Sequence, residues 1–401
     1  MPEPPASGDL GYSGFPVALF YLAPVHIDAL TDHAAAMVFK NITKKNAVTR
    51  EKGLAELLRM VDSAEIDVCD SAVLVCWLQL FPRLAIDASK AVRTLAVQTQ
   101  TQYMEKYGPR EFSRYLREAL PPWLGALYDE RSVAQAARSG LLRCFGDDAD
   151  RVDTRVWAVF HEQIVQYCHA ALVHETRASL ADPRYESVEE LVLKHNRVVT
   201  AATLMLARLV RLFNMRAFDL LSPTLLQLLV LLSADQLWDF LGLSLAAESA
   251  SGPLLRALLG LAAEIFSVDT CAHVLPVAAA LPDVRRVYKT VSKKVVKHVA
   301  VDAAPGPRAV YASAVGAVAE AFAALTAFSA AADASELRVK KNFWVLGGMR
   351  SFARLRAFLK MGPCGAGPGY YDALTRLFVL IEAAPVQLDD DFVFLDYASA
   401  D

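Results

Sequence analysis

The sequence predicts an all-α fold in which antiparallel helix pairs stack into a solenoid. Nearly every periodic segment repeats its apolar residues at helical spacing, and alternating strand patterns are scarce. Breaks rich in proline, glycine or aspartate follow one another at short intervals. Over 401 residues, the economical arrangement of such helices is a stack of pairs joined by short turns.

The first clear helix begins at Asn46, a favourable N-cap residue. Apolar residues follow it at helical spacing, at Leu54, Leu57, Leu58 and Val61. A second helix pair carries residues 77–93. Two later helices are expected to begin near Asp87 and Pro109, and another to end before Gly146.

The remaining helices are predicted from longer amphipathic patterns. They cover residues 154–180, 187–213, 224–232, 234–243, 252–266, 283–299, 308–328 and 370–381. The predicted breaks include 121–122, 181–183 and 362–369. We therefore expect a disordered arm at 1–16, degenerate HEAT/ARM-like repeats at 17–182, and less regular helical repeats at 183–401.

Composition excludes several classes of protein. Hydrophobic residues make up 54% of the chain, which is enough for a sizeable core, and the mean hydropathy is +0.28. Gln227 and Glu320 interrupt the longest apolar runs, so no membrane span is expected. Glu3 and Asp9 at the N-terminus do not fit a signal peptide. A net charge of −3 argues against a non-specific nucleic-acid binder.

The six cysteines predict no metal site. They are scattered and none forms a C-x-x-C pair, so neither a zinc site of the usual spacing nor a RING cluster is present in the sequence. Each cysteine is interpreted as a small apolar residue in a reducing compartment, which favours the cytosol.

No catalytic motif is found in the sequence. Cys168 and His169 are adjacent on a predicted helix, where their side chains point about 100° apart and do not form a nucleophile–base pair. The glycine-rich stretch 362–369 follows no predicted strand and lacks a Lys-Ser/Thr pair, so it is interpreted as a linker. No catalytic residue is therefore predicted.

Two basic faces are better candidates for function. The first places Arg83, Lys90 and Arg93 close to Lys44, Lys45 and Lys52 if the first two helix pairs stack. The second is a stripe on the helix at 283–299, formed by Arg286, Lys289, Lys293 and Lys297. Each face has enough charge to neutralise several phosphates, although exposed lysines also serve simply as solubilising charge.

The residue order of 41–57, followed by that of 77–93, resembles the extreme N-terminus of the listerin family. Listerins are large RING-type E3 ubiquitin ligases that work on stalled ribosomes. The resemblance is clearest over residues 23–139, where it includes Trp123-Leu124 and the run 129–137, and little of it is left past residue 300.

The resemblance implies a long HEAT/ARM-type arc. Its N-terminal domain would bind the large ribosomal subunit and a NEMF-type quality-control cofactor that recognises exposed peptidyl-tRNA. A RING, absent from this sequence, would hold zinc and recruit the E2, so no cofactor and no ligase chemistry are expected here. The motif positions that match the family are Lys44, Lys45, Asn46, Thr49, Lys52, Arg83 and Arg93.

On this interpretation the chain is the ribosome-docking end of a ligase of ribosome-associated quality control. It would be cytoplasmic and ribosome-associated, with no membrane partner. Two alternatives stay open from the residues alone. A generic HEAT/ARM scaffold or adaptor for a protein partner would bind with little dependence on salt, and an enzyme would need a deep pocket with convergent titratable groups.

Overall fold

The computed structural model describes residues 27–146, 148–180, 186–214, 223–246, 248–267 and 282–299, with scattered positions between 310 and 379. Within these residues every regular element is an α-, 3₁₀- or π-helix, and none is a strand. The all-α prediction is confirmed. The predicted arm at 1–16, and most of the segments 308–328 and 370–381, lie outside the described residues.

The chain packs as two compact units, Met1–Leu231 and Leu232–Asp401. The helices that begin in the first unit are α1 His33–Ile42, α2 Ala47–Asp62, α3 Ser71–Ala85, α4 Lys90–Tyr107, α5 Pro109–Phe112, α6 Leu116–Gly125, α7 Arg131–Phe145, α8 Ala149–Val152, α9 His161–His169, α10 Val188–Asn214 and α11 Pro223–Leu232. Among the described residues of the second unit, up to residue 299, the helices are α12 Asp235–Leu243, α13 Gly252–Ile265 and α14 Pro282–Val299.

Helices alternate between two rows in the first unit. Along one row, α2 packs on α4 and α4 packs on α7, while α3 packs on α6 in the other row. Within the second helix pair, α3 also packs on α4. Packing of every second helix is typical of a solenoid, because each pair covers the apolar face that its predecessor leaves open.

Aromatic residues fill the space between the two rows. Trp77 of α3 stacks on Tyr103 of α4 with ring centroids 6.0 Å apart, and both are fully buried. Their polar atoms are satisfied: the Trp77 indole N–H donates to Gln100 Oε1 at 2.8 Å, and the Tyr103 hydroxyl donates to the Val68 carbonyl at 2.8 Å. Burying each such side chain contributes about 2–3 kcal/mol.

Two predicted boundaries were wrong. Pro121 and Pro122, expected at a break, lie inside α6 and are buried. Burial of Trp123 and Leu124 in the same helix outweighs the lost backbone donors. The single helix expected at 154–180 is divided by a turn at 158–160: the π-helical segment Asp153–Trp157 precedes the turn, and α9 with a second π-helical segment, Ala170–His174, follows it.

The division between the units also differs from the predicted boundary between 182 and 183. Helices α9 and α10 lie on either side of that position and pack against each other, as do α6 and α10. Residues 188–214 therefore belong to the core of the first unit. A break in helical periodicity is only a local signal, whereas a unit is defined by contacts between distant residues.

In the second unit, α12, α13 and α14 pack on one another. Phe266 and Tyr288 contact each other in its core, with ring centroids 5.2 Å apart. Among the described residues no single helix is long and apolar enough to cross a membrane. Only α11 and α12 taken together as a bent pair pass that test, by length and composition.

Candidate functional site

The turn between α1 and α2 presents the first predicted cations. Asn46 caps α2, as predicted: its side-chain oxygen accepts from the backbone N–H groups of Val48 at 2.8 Å and Thr49 at 3.2 Å. Arg50 folds back from the first turn of the helix and donates to the carbonyl oxygens of Lys44 at 3.0 Å and Lys45 at 2.6 Å. The backbone of this turn is thereby fixed, while both lysine side chains are exposed.

Arg50 also ties this turn to the turn between α3 and α4. Its guanidinium forms an ion pair with Asp87, in which Nη2 donates to Oδ1 at 2.9 Å and Nε lies 2.9 Å from Oδ2. The Asp87 carboxylate also accepts the Ser89 N–H at 2.8 Å. The Asp87 side chain is only 8% exposed, so this pair holds the two turns together in a largely desolvated position.

Arg93 occupies a different place from the one predicted. Its guanidinium is fully buried and donates to Asp129, at 2.7 Å to Oδ2 and 2.9 Å to Oδ1, and to Glu130 Oε1 at 2.8 Å. It also donates to the carbonyls of Asp87 at 2.8 Å and Ala88 at 3.0 Å. Arg93 therefore holds the α3–α4 turn from beneath, and we remove it from the set of partner-binding residues.

A third arginine reaches the same turn from α10. Arg197 Nη2 donates to the carbonyl oxygens of Ile86 at 3.1 Å and Asp87 at 3.0 Å. Burial lowers the pKa of Arg197, and the nearby charge of Arg93 lowers it further. Arginines from α2, α4 and α10 thus converge on one four-residue turn, Ile86–Ser89, and set its position relative to three helices.

Above this turn lies a cleft of about 430 Å³, which we call the basic cleft. Its walls are the α1–α2 turn, the end of α3 with the following turn, and the start of α10. Five cationic side chains line it, namely Lys44, Lys45, Arg50, Arg83 and Arg197, together with three acidic ones, Asp87, Glu186 and Glu190. The stacking of the first helix pairs therefore brings Lys44, Lys45 and Arg83 together, as predicted.

The α10 wall of the cleft was not predicted. Glu186 pairs with Lys194, whose ammonium is 3.0 Å away and whose side chain is 1% exposed. Leu193, which also lines the cleft, is 64% exposed. Arg197 lies more than 100 residues from the turn that it binds, so sequence spacing gave no signal for it. The remaining predicted residues, Thr49 and Lys52, lie on α2 outside the described lining of the cleft.

The second predicted basic face has a different geometry. On α14, Arg286, Lys289 and Lys293 are exposed, while Val287, Val291 and Val295 are buried on the opposite side. The side chain of Lys297 lies outside the described residues. A further lysine, Lys294, is turned toward α12 and pairs with Asp239 at 2.6 Å and Asp235 at 3.1 Å.

The described residues contain no group of three or more His, Cys, Asp and Glu side chains placed to hold a metal. Cys168 is fully buried, and burial raises the pKa of its thiol well above the ordinary value. Its sulfur lies 3.5 Å from the Ala202 carbonyl, and neighbouring His169 packs instead against His174. This pair therefore lacks the geometry of a nucleophile and its base. The glycine-rich stretch 362–369 lies outside the described residues.

Comparison with known proteins adds the family. Residues 30–381 match the family described as E3 ubiquitin-protein ligase listerin, N-terminal domain. The listerin of Saccharomyces cerevisiae is 27% identical over 241 residues, which are 58% of this chain and 15% of the relative. That of Neurospora crassa is 30% identical over 205 residues, 51% of this chain and 12% of the relative.

The listerin of Gallus gallus is 26% identical over 215 residues, 53% of this chain and 12% of the relative. The matched segments thus span between 12% and 15% of the length of these three relatives. The family match covers far more than half of this chain, including every helix that lines the basic cleft. The chain therefore belongs to the listerin family of E3 ubiquitin-protein ligases, and its matched residues are those of the family's N-terminal domain.

Proposed function

We propose that this chain is the module with which a listerin-type E3 ubiquitin ligase docks on the large ribosomal subunit. The whole ligase would ubiquitinate nascent chains on stalled 60S subunits in ribosome-associated quality control, in the cytoplasm. The ligase chemistry would belong to a zinc-binding RING outside these residues, which would recruit the E2. A NEMF-type quality-control cofactor would be a further partner at the docked end.

The observation that carries the proposal is the basic cleft. Lys44 and Lys45 lie in the α1–α2 turn and Arg83 lies in the last turn of α3, and the Arg50–Asp87 pair fixes the α1–α2 turn against the turn that follows α3. Cations held in place by the fold lose little entropy when they meet an anionic surface. A near-neutral chain with a local positive concavity is suited to docking by charge and shape on an anionic particle.

Docking of one end would also serve the ligase as a whole. When one end of a long, stiff protein is anchored, the other end is held at a raised effective concentration near its target. The anchor would supply position, and the distant RING would supply catalysis.

Co-sedimentation of the 401-residue chain with purified large subunits tests the proposal. We expect the wild type to pellet with the subunits at low salt and to be released as salt rises. The variant Lys44→Glu/Lys45→Glu/Arg83→Glu should bind at least about tenfold more weakly, with a shallower dependence on salt. Wild-type binding that is absent, or that does not change with salt, would contradict the proposal and would favour a generic HEAT/ARM scaffold.

A further inference from the structure

The composition of the basic cleft limits what can bind inside it. Among its described lining residues there is no tryptophan, tyrosine, phenylalanine or histidine. Single-stranded nucleic acid is usually held by stacking of its bases on aromatic side chains, or on arginine planes. Two of the three arginines that line the cleft, Arg50 and Arg197, already donate to backbone carbonyls, and Arg50 also donates to Asp87.

The distribution of charge within the cleft is uneven. Lys44, Lys45 and Arg83 lie on the side formed by the α1–α2 turn and the end of α3, whereas Glu186 and Glu190 lie at the start of α10. A phosphate backbone carries a charge at every nucleotide, so a strand that crossed the cleft would bring some of its phosphates close to these carboxylates. A ligand with one or two isolated negative charges avoids that repulsion.

An exposed apolar side chain lies beside the charged residues of the basic cleft. Leu193 lines the cleft and is 64% exposed. Phosphates and riboses offer little apolar surface to cover a leucine, whereas a peptide side chain can bury it and gain the corresponding hydrophobic free energy. Charge on one wall and exposed leucine on the other therefore complement a ligand that is both acidic and apolar.

We infer that the basic cleft binds a short protein segment in which an acidic side chain adjoins an apolar one. The carboxylate would contact Lys44 and Arg83, and the apolar side chain would cover Leu193. This inference rests on the proposed docking function and narrows it: the cleft recognises a protein of the docked assembly rather than its RNA. A volume of about 430 Å³ is of the size that encloses a few side chains.

Fluorescence anisotropy with the 401-residue chain tests this without ribosomes. The probe is a labelled, acetylated peptide of sequence Gly-Glu-Leu-Glu-Leu-Gly. A peptide with serine in place of leucine, a peptide with glutamine in place of glutamate, and a six-nucleotide single-stranded RNA serve as comparisons. We expect the first peptide to bind at least about tenfold more tightly than each of the other three.

Variants then assign the contacts. Lys44→Glu/Arg83→Glu should weaken binding of the first peptide by more than about tenfold, and Leu193→Ser by about fivefold. Arg117→Glu/Arg138→Glu is the matched control, since both arginines are exposed outside the cleft lining and their reversal changes the net charge equally, and it should change binding less than about twofold. Circular dichroism confirms that each variant keeps the helical content of the wild type.

Three results would overturn the inference: RNA binding that exceeds peptide binding, no measurable binding of any probe, or a Leu193→Ser variant that binds like the wild type. The outcome is separable from that of the docking proposal. If large-subunit binding depends on the cations but the peptide test fails, the docking function stands and RNA becomes the expected ligand of the cleft. If the chain binds the peptide but not the large subunit, the peptide-binding role of the cleft stands and the docking function is wrong.

Discussion

The two basic regions of this chain have the same kind of sequence and different structures. In the first unit, cations from α1–α2, α3 and α10 converge on a concave cleft whose turns are tied together by buried arginine pairs. In the second unit, Arg286, Lys289 and Lys293 lie along the exposed side of one helix. Nearby Lys294 is already paired with two aspartates.

The difference shows that cation count alone does not identify a binding site. Charges on a convex helix face are surrounded by water and screened within about 10 Å at ordinary salt. In a concave, partly desolvated cleft the same charges act together on one ligand. The first region also contains a cation that is buried inside the fold, since Arg93 is paired there with Asp129 and Glu130.

The largest expected effect concerns that internal arginine. Arg93→Met should lower the free energy of unfolding of the first unit by about 3–5 kcal/mol, because it leaves the buried Asp129 carboxylate and the carbonyls of the α3–α4 turn without their donor. Urea unfolding followed by circular dichroism measures the change.

Lys90→Met is the control for this prediction. Lys90 approaches the same acidic cluster from outside, with Nζ 3.7 Å from Glu130 and more than half of its side chain exposed. Its substitution should change stability by less than about 1 kcal/mol. If both substitutions lower the free energy of unfolding equally, the buried Arg93 contacts do not stabilise the α3–α4 turn as we expect.

Charge reversal compares the two basic regions directly. In the co-sedimentation assay, Lys44→Glu/Lys45→Glu/Arg83→Glu should reduce large-subunit binding at least about tenfold. Arg286→Glu/Lys289→Glu/Lys293→Glu changes the net charge equally and should reduce it only about two- to threefold, through the long-range field alone. A larger loss from the α14 variant would move the docking surface to the second unit.

A smaller effect is expected at the cap that orients the cleft's lysines. Asn46→Ala should destabilise the first unit by about 1 kcal/mol, since the Val48 and Thr49 N–H groups lose their acceptor. Asn46→Asp keeps the acceptor and should retain wild-type stability. If thermal unfolding shows no difference between the two variants, the capping role is wrong and Asn46 becomes a candidate for direct partner contact.

The smallest expected effect is on the pH dependence of the free energy of unfolding. His195, on the α10 wall behind the cleft, is buried, and burial lowers its pKa. The unfolded chain binds this proton near pH 6.5 and the folded chain only at lower pH, so stability is full above that value and falls as pH decreases through it. His195→Gln should make the free energy of unfolding less dependent on pH between 7 and 5. If the pH dependence of the free energy of unfolding is unchanged, another group causes the acid sensitivity. His169 is one candidate, because burial also lowers its pKa.

The sequence predicted the fold and half of the site for a clear physical reason. Helical periodicity and caps are local, so Asn46 and the start of α2 were found where expected. The cluster of Lys44, Lys45 and Arg83 followed from the stacking of neighbouring pairs. Whether a cation faces water or the core depends on distant partners, which is why Arg93 was misassigned and Arg197 missed.

The wrong boundaries have a similar cause. Pro121 and Pro122 indicate a break by local rules, and only the burial of the surrounding apolar residues keeps them in a helix. The family resemblance rests on the order of residues in the sequence, which does not show which side chains are buried in the fold. It therefore brought Lys44, Lys45 and Arg83 into one candidate region without separating them from the buried Arg93.

A cryo-electron microscopy map of the 401-residue chain bound to purified large subunits tests the central claim most directly. We predict that the basic cleft faces the subunit, that Lys44 and Arg83 lie at the contact, and that the exposed face of α14 lies farther from it. A map in which the cleft opens to solvent while Arg286, Lys289 and Lys293 contact the subunit would contradict the claim.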